Sequence, residues 1–198
     1  LDYFKKNDYH IKVKGEQNLK NLANNKPVVF ISGHFANFEL MSMEISKKNI
    51  KLATIYRPLN NIFLNPVMEY LRKKYICKYQ IKKGIKGVKE AIEYLKNGHS
   101  IALMIDQRVS EGEKISFFGK EALTSTLPAQ LSIKYDLDII PVFIERKGDD
   151  KFEIEFFDAI KPKDYSSKNK LSKKLNTVLE IMIRRNPNQW IWSHNRWK

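Results

Sequence analysis

A histidine and a glutamate stand five positions apart, directly after an apolar run near the start of the chain. The segment FISGHFANFE places His34 just past Val28–Ile31, with Gly33 before it and Glu39 after four intervening residues. A carboxylate that holds one imidazole nitrogen as N–H leaves the other nitrogen free as a general base. Such a pair could take a proton from a hydroxyl as that hydroxyl attacks an activated carbonyl.

Whether this pair can form depends on where the next helix begins. Five residues of an ideal helix turn by about 500°, so positions 34 and 39 would point roughly 140° apart. His34 can therefore meet Glu39 only from the turn before the helix, and Gly33 makes such a turn easy. The alternative is a strand end followed by an unrelated histidine, and the short pattern leaves both interpretations open.

Other catalytic patterns are absent from the sequence. Ser32 has no glycine two positions before it, so the nucleophile elbow of α/β-hydrolases is missing. The four histidines lack zinc-protease spacing, and Cys77, the only cysteine, supplies neither an internal disulfide nor a structural zinc site. No phosphate-binding glycine loop is present. We therefore expect neither a metal nor a cofactor.

Apolar segments of strand length alternate with segments of helical spacing. This alternation predicts a single α/β domain over residues 1–198, with a mixed, mostly parallel central sheet flanked by helices. The predicted strands are Ile11–Val13, Val28–Ile31, Lys51–Tyr56, Ser100–Ile105, Ile139–Ile144 and Phe152–Phe156. The predicted helices are Glu16–Ala23, Ala36–Ser46, Asn61–Lys74, Ile85–Lys96, Ser125–Tyr135 and Lys170–Arg185. Such sheets place their ligand sites at the carboxyl ends of the strands.

Polar side chains follow two further predicted strands. They are Arg57 and Asn60 after the third strand, and Asp106, Gln107 and Arg108 after the fourth. An arginine suits a phosphate or a carboxylate, because its donors form a fixed fork. From the residues alone, Arg57 could equally cap a strand end, and Asp106 could cap the following turn.

The chain carries a large positive charge. Its 198 residues include 36 lysines and arginines against 22 aspartates and glutamates, a formal net charge of +14. This excess favours anionic partners such as nucleic acid, an anionic membrane surface or an acidic carrier protein, although part of it could be a solvated lysine surface. With 42% hydrophobic residues the chain can build a core, and no segment reaches the ~18 apolar residues that a membrane span needs.

An ordered set of short motifs resembles the late acyltransferases of lipid A biosynthesis, a branch of the glycerolipid acyltransferase superfamily with the signature H-x-x-x-x-[DE]. The motifs cover nearly the whole chain and are SGHFANFE, YRPLNN, DQR, FFGKEALTST, IIPVF and IRRNPNQWIWSHNRWK. The resemblance implies that His34 is the general base and Glu39 its orienting carboxylate. An acyl group would then pass from an acyl-carrier-protein thioester to a hydroxyl of a lipid A precursor, without a metal.

The same resemblance implies substrate-binding residues and partners. Arg57 and Arg72 match arginines of the family's second block, Asp106 matches the acid of the DQ motif, and Phe118 and Gly119 match a turn that shapes the site. The implied partners are acyl carrier protein, a lipid A precursor and the anionic cytoplasmic face of the bacterial inner membrane. Family members normally carry an N-terminal membrane anchor, which this chain lacks, so we expect peripheral attachment.

Two alternatives stay open. One keeps the superfamily and changes the acceptor to a glycerol phospholipid. The other is a basic nucleic-acid-binding module, although the aromatic residues lie mostly in core-like stretches and no RNA-binding signature or zinc-finger spacing is present. The C-terminal stretch PNQWIWSHNRWK favours the lipid A branch. Its residues Trp190, Trp192 and Trp197 either pack on the core or form an aromatic edge that touches lipid.

Overall fold

Strands with near-continuous apolar runs form a central sheet, as expected where helices cover both faces. The computed structural model describes residues 10–20 and 26–197. The strands of that part are β1 (Ile11–Lys14), β2 (Val29–Ser32), β3 (Leu52–Tyr56), β4 (Tyr79–Lys82), β5 (Ser100–Met104), β6 (Glu113–Phe117), β7 (Lys120–Thr124), β8 (Ile139–Arg146) and β9 (Phe152–Phe156). Seven of them form one sheet in the order β1-β9-β8-β2-β5-β3-β4, in which the β8–β9 pair alone is antiparallel.

Helices pack on both faces of this sheet. They are α1 (Gln17–Lys20), α2 (Glu39–Lys47), α3 (Leu64–Tyr75), α4 (Ile85–Lys96), α5 (Leu127–Tyr135) and α6 (Lys168–Arg185). Alternate strand residues face opposite sides. Val29 and Ile31 of β2 join the core under α4, α5 and α6, whereas Phe30 joins the core under α2. The prediction of a mixed, mostly parallel α/β sheet is confirmed. No helix among the described residues is long and apolar enough to cross a bilayer.

Several elements differ from the sequence prediction, and one predicted helix lies partly outside the described residues. The predicted helix 36–46 begins only at Glu39, because Ala36 has a φ of 42° and its N–H donates to the Gln189 carbonyl at 2.8 Å. The β6–β7 hairpin was not predicted, and its two-residue turn has positive φ at both Phe118 and Gly119, as the favoured hairpin turns require. Of the predicted helix 16–23, residues 21–23 lie outside the described residues.

Residues 187–197, named here the C-terminal strap, return to the sheet after α6. The strap makes an antiparallel bridge between Trp190 and Phe35, and the Ile191 N–H donates to the His34 carbonyl at 3.1 Å. Trp190 is 4% exposed, which confirms core packing for this tryptophan, whereas Trp192 is 56% exposed. The strap therefore fixes the backbone from His34 to Ala36.

Arg196 anchors the far end of the strap. It is fully buried and donates hydrogen bonds to the Leu123 carbonyl at 2.6 Å and to Thr124 Oγ1 at 2.7 Å. Its guanidinium also lies 5.1 Å from the centre of the Phe117 ring, a cation–π distance. Burial lowers the pKa of Arg196 to about 10. The strap is thus attached to the β6–β7 hairpin as well as to the sheet.

Candidate active site

The carboxyl ends of β2 and β5 bring a histidine and an aspartate together. Ser32 pairs with Met104 in the parallel register, and His34 and Asp106 each lie two residues beyond that pair. His34 Nδ1 lies 2.8 Å from Asp106 Oδ1, and the His34 backbone N–H donates to Oδ2 at 2.8 Å. A carboxylate only accepts, so it favours the tautomer with the proton on Nδ1 and leaves Nε2 with a free lone pair.

The Asp106 carboxylate is buried and fully occupied by donors. Its side chain is 3% exposed, and Trp190 Nε1 donates to Oδ2 at 2.9 Å in addition to the two donors from His34. Burial alone would raise the pKa of this carboxyl, but the hydrogen bonds and charge of His34, together with the Trp190 N–H, hold it below its usual value. Asp106 therefore stays ionised behind the imidazole.

Glu39 does not contact the imidazole, contrary to the prediction. His34 does lie in the turn before α2, as the spacing required, and Glu39 is the first residue of that helix. The Oε1 atom of Glu39 instead accepts hydrogen bonds from Arg72 Nε at 2.8 Å and Arg72 Nη2 at 2.5 Å. Among the described residues, no hydrogen bond joins His34 to Glu39. The physical reason is that Asp106 already occupies Nδ1, while the guanidinium offers Glu39 a charge-assisted pair.

A cavity of about 320 Å³ opens beside His34. Much of its wall is apolar and consists of Phe38, Met41, Ile55, Ala102, Leu103, Met104, Val109 and Leu127. Its charged and polar wall includes Glu39, Arg57, Arg72, Lys83, Gln107 and His194. The apolar wall suits a hydrocarbon chain, and the cations suit an anionic group. Among the described residues, no group of three or more His, Cys, Asp or Glu side chains could hold a metal ion.

Five of the predicted site residues line this cavity, namely His34, Glu39, Arg57, Arg72 and Gln107. Asp106 does not line it but holds His34 from behind.

Four further predicted site residues do not line the cavity. Asn60 is exposed in the loop before α3. Arg108 contributes its backbone N–H, which donates to His194 Nε2 at 2.9 Å. The turn at Phe118 and Gly119 is held against α6 instead, because the Phe118 N–H donates to Glu180 at 2.8 Å and the Arg184 guanidinium lies 4.9 Å from the Phe118 ring.

Sequence reasoning missed two basic residues of the cavity, Lys83 and His194. His194, which the sequence analysis did not single out, lines the cavity, and burial lowers its pKa. The available signal was its place in the polar and aromatic stretch PNQWIWSH, which is unusual for a segment that only closes a core. Lys83 follows β4, which was not among the predicted strands.

Comparisons with known proteins identify the family of the chain. A family model described as bacterial lipid A biosynthesis acyltransferase matches residues 4–198. The chain belongs to this family. One similar curated protein is lipid A biosynthesis acyltransferase 2 of Shigella flexneri, which is 24% identical over 180 residues that cover 85% of this chain. The match covers 54% of that relative, so the chain spans about half of its length.

A solved structure shares the fold of this acyltransferase family member. It is the 1-acyl-sn-glycerophosphate acyltransferase PlsC from Thermotoga maritima, with a TM-score of 0.59 and 18% sequence identity. The similarity covers 91% of this chain and 73% of the PlsC chain. The expected glycerolipid acyltransferase fold is thereby confirmed, and the family match favours an enzyme over a nucleic-acid-binding module.

Replacing Trp190 with phenylalanine is expected to destabilise the protein in a pH-dependent way. Ionised Asp106 has a lowered pKa, so its stabilising contribution is present above the unfolded pKa of about 3.9 and is lost as the pH falls through the folded value. Loss of the Trp190 N–H removes part of that contribution, about 1.5–3 kcal/mol for a hydrogen bond to a charge. Denaturant unfolding should show a difference from wild type that is largest near pH 7 and shrinks below about pH 4.

Trp192→Phe is the matched control in the same strap. Its Nε1 donates to the Pro187 carbonyl and has no contact with Asp106, so its stability loss should not vary with pH in this range. Equal pH dependence in both variants would show that the Trp190 hydrogen bond does not support the charge of Asp106.

Proposed function

We propose that this chain transfers a fatty acyl group from an acyl-carrier-protein thioester to a hydroxyl of a lipid A precursor. The observation that carries the proposal is the imidazole of His34, held by the buried Asp106 and open to a partly apolar cavity. Family membership supplies the reaction class, and the named relative supplies the lipid A acceptor by analogy.

The proposed step needs one base and no covalent enzyme intermediate. Nε2 of His34 takes the proton of the acceptor hydroxyl as its oxygen attacks the thioester carbonyl carbon. The tetrahedral intermediate then breaks its carbon–sulfur bond, and the departing thiolate takes the proton back from the imidazolium. Asp106 stabilises the imidazolium while it exists, because it is ionised and 2.8 Å from Nδ1.

The charged wall of the cavity suits the other parts of such a substrate. Arg57 and Lys83 line the cavity and make no ion pair with any described residue, so both are available to a phosphate of the acceptor. Arg72 also lines it but is paired with Glu39. We place the enzyme at the cytoplasmic face of the bacterial inner membrane, where acyl carrier protein and the lipid precursor would meet.

A comparison of acceptors tests the proposal. The 198-residue chain is incubated with acyl-acyl-carrier-protein and either a detergent-dispersed lipid A precursor or lysophosphatidate, and the acylated products are quantified by mass spectrometry. We expect acylation of the lipid A precursor at least tenfold faster than that of lysophosphatidate. The reverse preference would move the enzyme to the glycerol phospholipid branch, to which its fold neighbour belongs by name. Replacing the carrier-protein donor by acyl-coenzyme A tests the donor in the same assay.

A further inference from the structure

Helix α3 presents its apolar side chains to solvent. None of its residues is buried, and Val67 and Tyr70 are 53% and 58% exposed. In the turn that leads into it, Ile62 and Phe63 are 76% and 81% exposed. An ordinary surface helix turns its apolar stripe toward the core and its polar stripe toward water.

The polar stripe of α3 faces the body of the protein instead. Asn65, Glu69 and Arg72 recur at the three- and four-residue steps of one helix face. Glu69 accepts hydrogen bonds from Tyr56 at 2.6 Å and from Asn65 at 2.8 Å, and Arg72 donates to Glu39. The Tyr56 and Asn65 hydrogen bonds lower the pKa of Glu69 to about 2. At 100° per residue, this stripe lies on roughly the opposite side of α3 from Val67 and Tyr70. Polar contacts therefore hold the helix with its apolar side outward.

The outward side and the loop before it carry exposed apolar residues within a positively charged stretch of the sequence. The α3 surface, as we name it, consists of Leu59, Ile62, Phe63, Leu64, Val67 and Tyr70, all at least 40% exposed. Residues 57–89 contain nine lysines and arginines and one acidic residue, Glu69, which is turned inward. Exposed apolar groups flanked by cations are the composition of segments that lie in the interface of an anionic bilayer.

The α3 surface is next to the cavity of the candidate active site. Arg57 precedes its first residue, Arg72 lies on the inner side of the same helix, and both line the cavity with His34. A lipid whose tails stay in a bilayer under the α3 surface could thus present its polar end to the cavity.

We propose that the α3 surface inserts into the headgroup region of an anionic lipid bilayer, with Ile62 and Phe63 entering deepest. This inference rests on the proposed function in one respect: the proposed function explains the use of the surface, which is access to a lipid acceptor. A bilayer fits better than an acidic carrier protein, because the most exposed side chains of the surface, Ile62 and Phe63, are apolar and stand at the start of the helix, while its basic residues lie in its last turn. An acidic protein would need the cations at the centre of the contact.

Vesicle binding by the 198-residue chain tests the inference without any chemistry. We would measure co-flotation with vesicles of phosphatidylglycerol and phosphatidylethanolamine, and with vesicles of phosphatidylcholine alone. The variant I62S/F63S should lower the partition coefficient on anionic vesicles by about tenfold or more, since it removes the two apolar groups that would leave water. Its matched control is I133S/I181S, which changes two exposed isoleucines on α5 and α6 and should bind like wild type.

A charge variant separates the electrostatic part. K73Q/K74Q should weaken binding to anionic vesicles several-fold and change binding to phosphatidylcholine vesicles little, and high salt should reduce the difference. Equal losses in I62S/F63S and I133S/I181S, or no loss in either, would overturn the inference. It would also be overturned if I62S/F63S weakened the affinity for acyl carrier protein and left vesicle binding unchanged.

Activity assays distinguish this inference from the proposed function. With a detergent-dispersed acceptor, I62S/F63S should be as active as wild type, whereas with the acceptor in anionic vesicles its rate should fall with its binding. A wild-type chain that binds vesicles through Ile62 and Phe63 but acylates no lipid A precursor would contradict the proposed function alone. Normal activity of the variant on vesicles would contradict the inference alone.

Discussion

His34→Gln is expected to lower kcat for acyl transfer by roughly 10²- to 10⁴-fold, the usual contribution of a general base. Glutamine has an amide that can still donate to Asp106, so the buried carboxylate keeps a partner. It has no basic nitrogen, however, and cannot take the proton of the attacking hydroxyl. Initial rates with saturating acyl donor and lipid A precursor measure the effect, and circular dichroism with thermal melting verifies that the variant is folded.

His99→Gln is the matched control for this substitution. His99 packs against the rings of Tyr79 and Tyr94, at 4.8 and 5.1 Å, and does not line the cavity. If the loss of a histidine lowers kcat only at the position of His34, the kcat of His99→Gln should stay within about twofold of wild type. A folded His34→Gln variant with wild-type kcat would exclude His34 as the base.

Local patterns were sufficient to predict the sheet and the edge at which the site lies. The apolar run at β2 is buried along its whole length, and the alternation of strands with helices predicted parallel pairing. In a parallel sheet all carboxyl ends meet at one edge, which is why His34, Arg57 and Asp106 could be grouped before their contacts were known. The predicted helix 36–46 also placed His34 before the helix, as the structure shows.

The same patterns could not identify the carboxylate that holds His34. Spacing shows only that Glu39 could reach the imidazole. The actual partner, Asp106, is 72 residues away and lies beside His34 because β2 pairs with β5 and β8 and not with β3, its successor in sequence. Strand order depends on non-local packing energies that no short window of sequence contains.

Periodicity also leaves open which side of a helix is buried. The spacing of apolar residues correctly indicated a helix at α3, but the usual rule would have placed Val67 and Tyr70 against the core. The decisive interactions are the polar contacts of the opposite stripe with Tyr56 and Glu39, which come from two other elements. The Trp190 hydrogen bond to Asp106, across 84 residues, escaped prediction for the same reason.

Asp106→Asn is expected to lower kcat by roughly 10²- to 10⁴-fold, and Glu39→Gln to lower it by less than about tenfold. In the first variant, the new amide can keep its oxygen toward the His34 N–H and the Trp190 N–H, which both donate to Oδ2. Its NH₂ group then faces Nδ1. A donor at Nδ1 moves the imidazole proton to Nε2, which leaves the ring without a lone pair on the side of the cavity and without a charge to stabilise the imidazolium.

Glu39→Gln acts on a different contact. The new side chain keeps an oxygen that can accept from Arg72, but it removes the negative charge of that pair, so the guanidinium becomes freer to bind an anionic substrate group. Its effect should therefore lie mainly in KM for the acceptor and little in kcat. Steady-state kinetics of both variants at saturating donor separate the two outcomes.

The two variants together decide which carboxylate serves the base. A large loss in kcat for folded Asp106→Asn with a small loss for Glu39→Gln would assign the orienting role to Asp106, as the hydrogen bonds indicate. The opposite ranking would mean that Glu39 leaves Arg72 and turns to the imidazole when substrate is bound, since the guanidinium would then have a substrate phosphate as its new partner. Equal losses would require both carboxylates at the reacting centre, and the double variant would then lose no more activity than either single one.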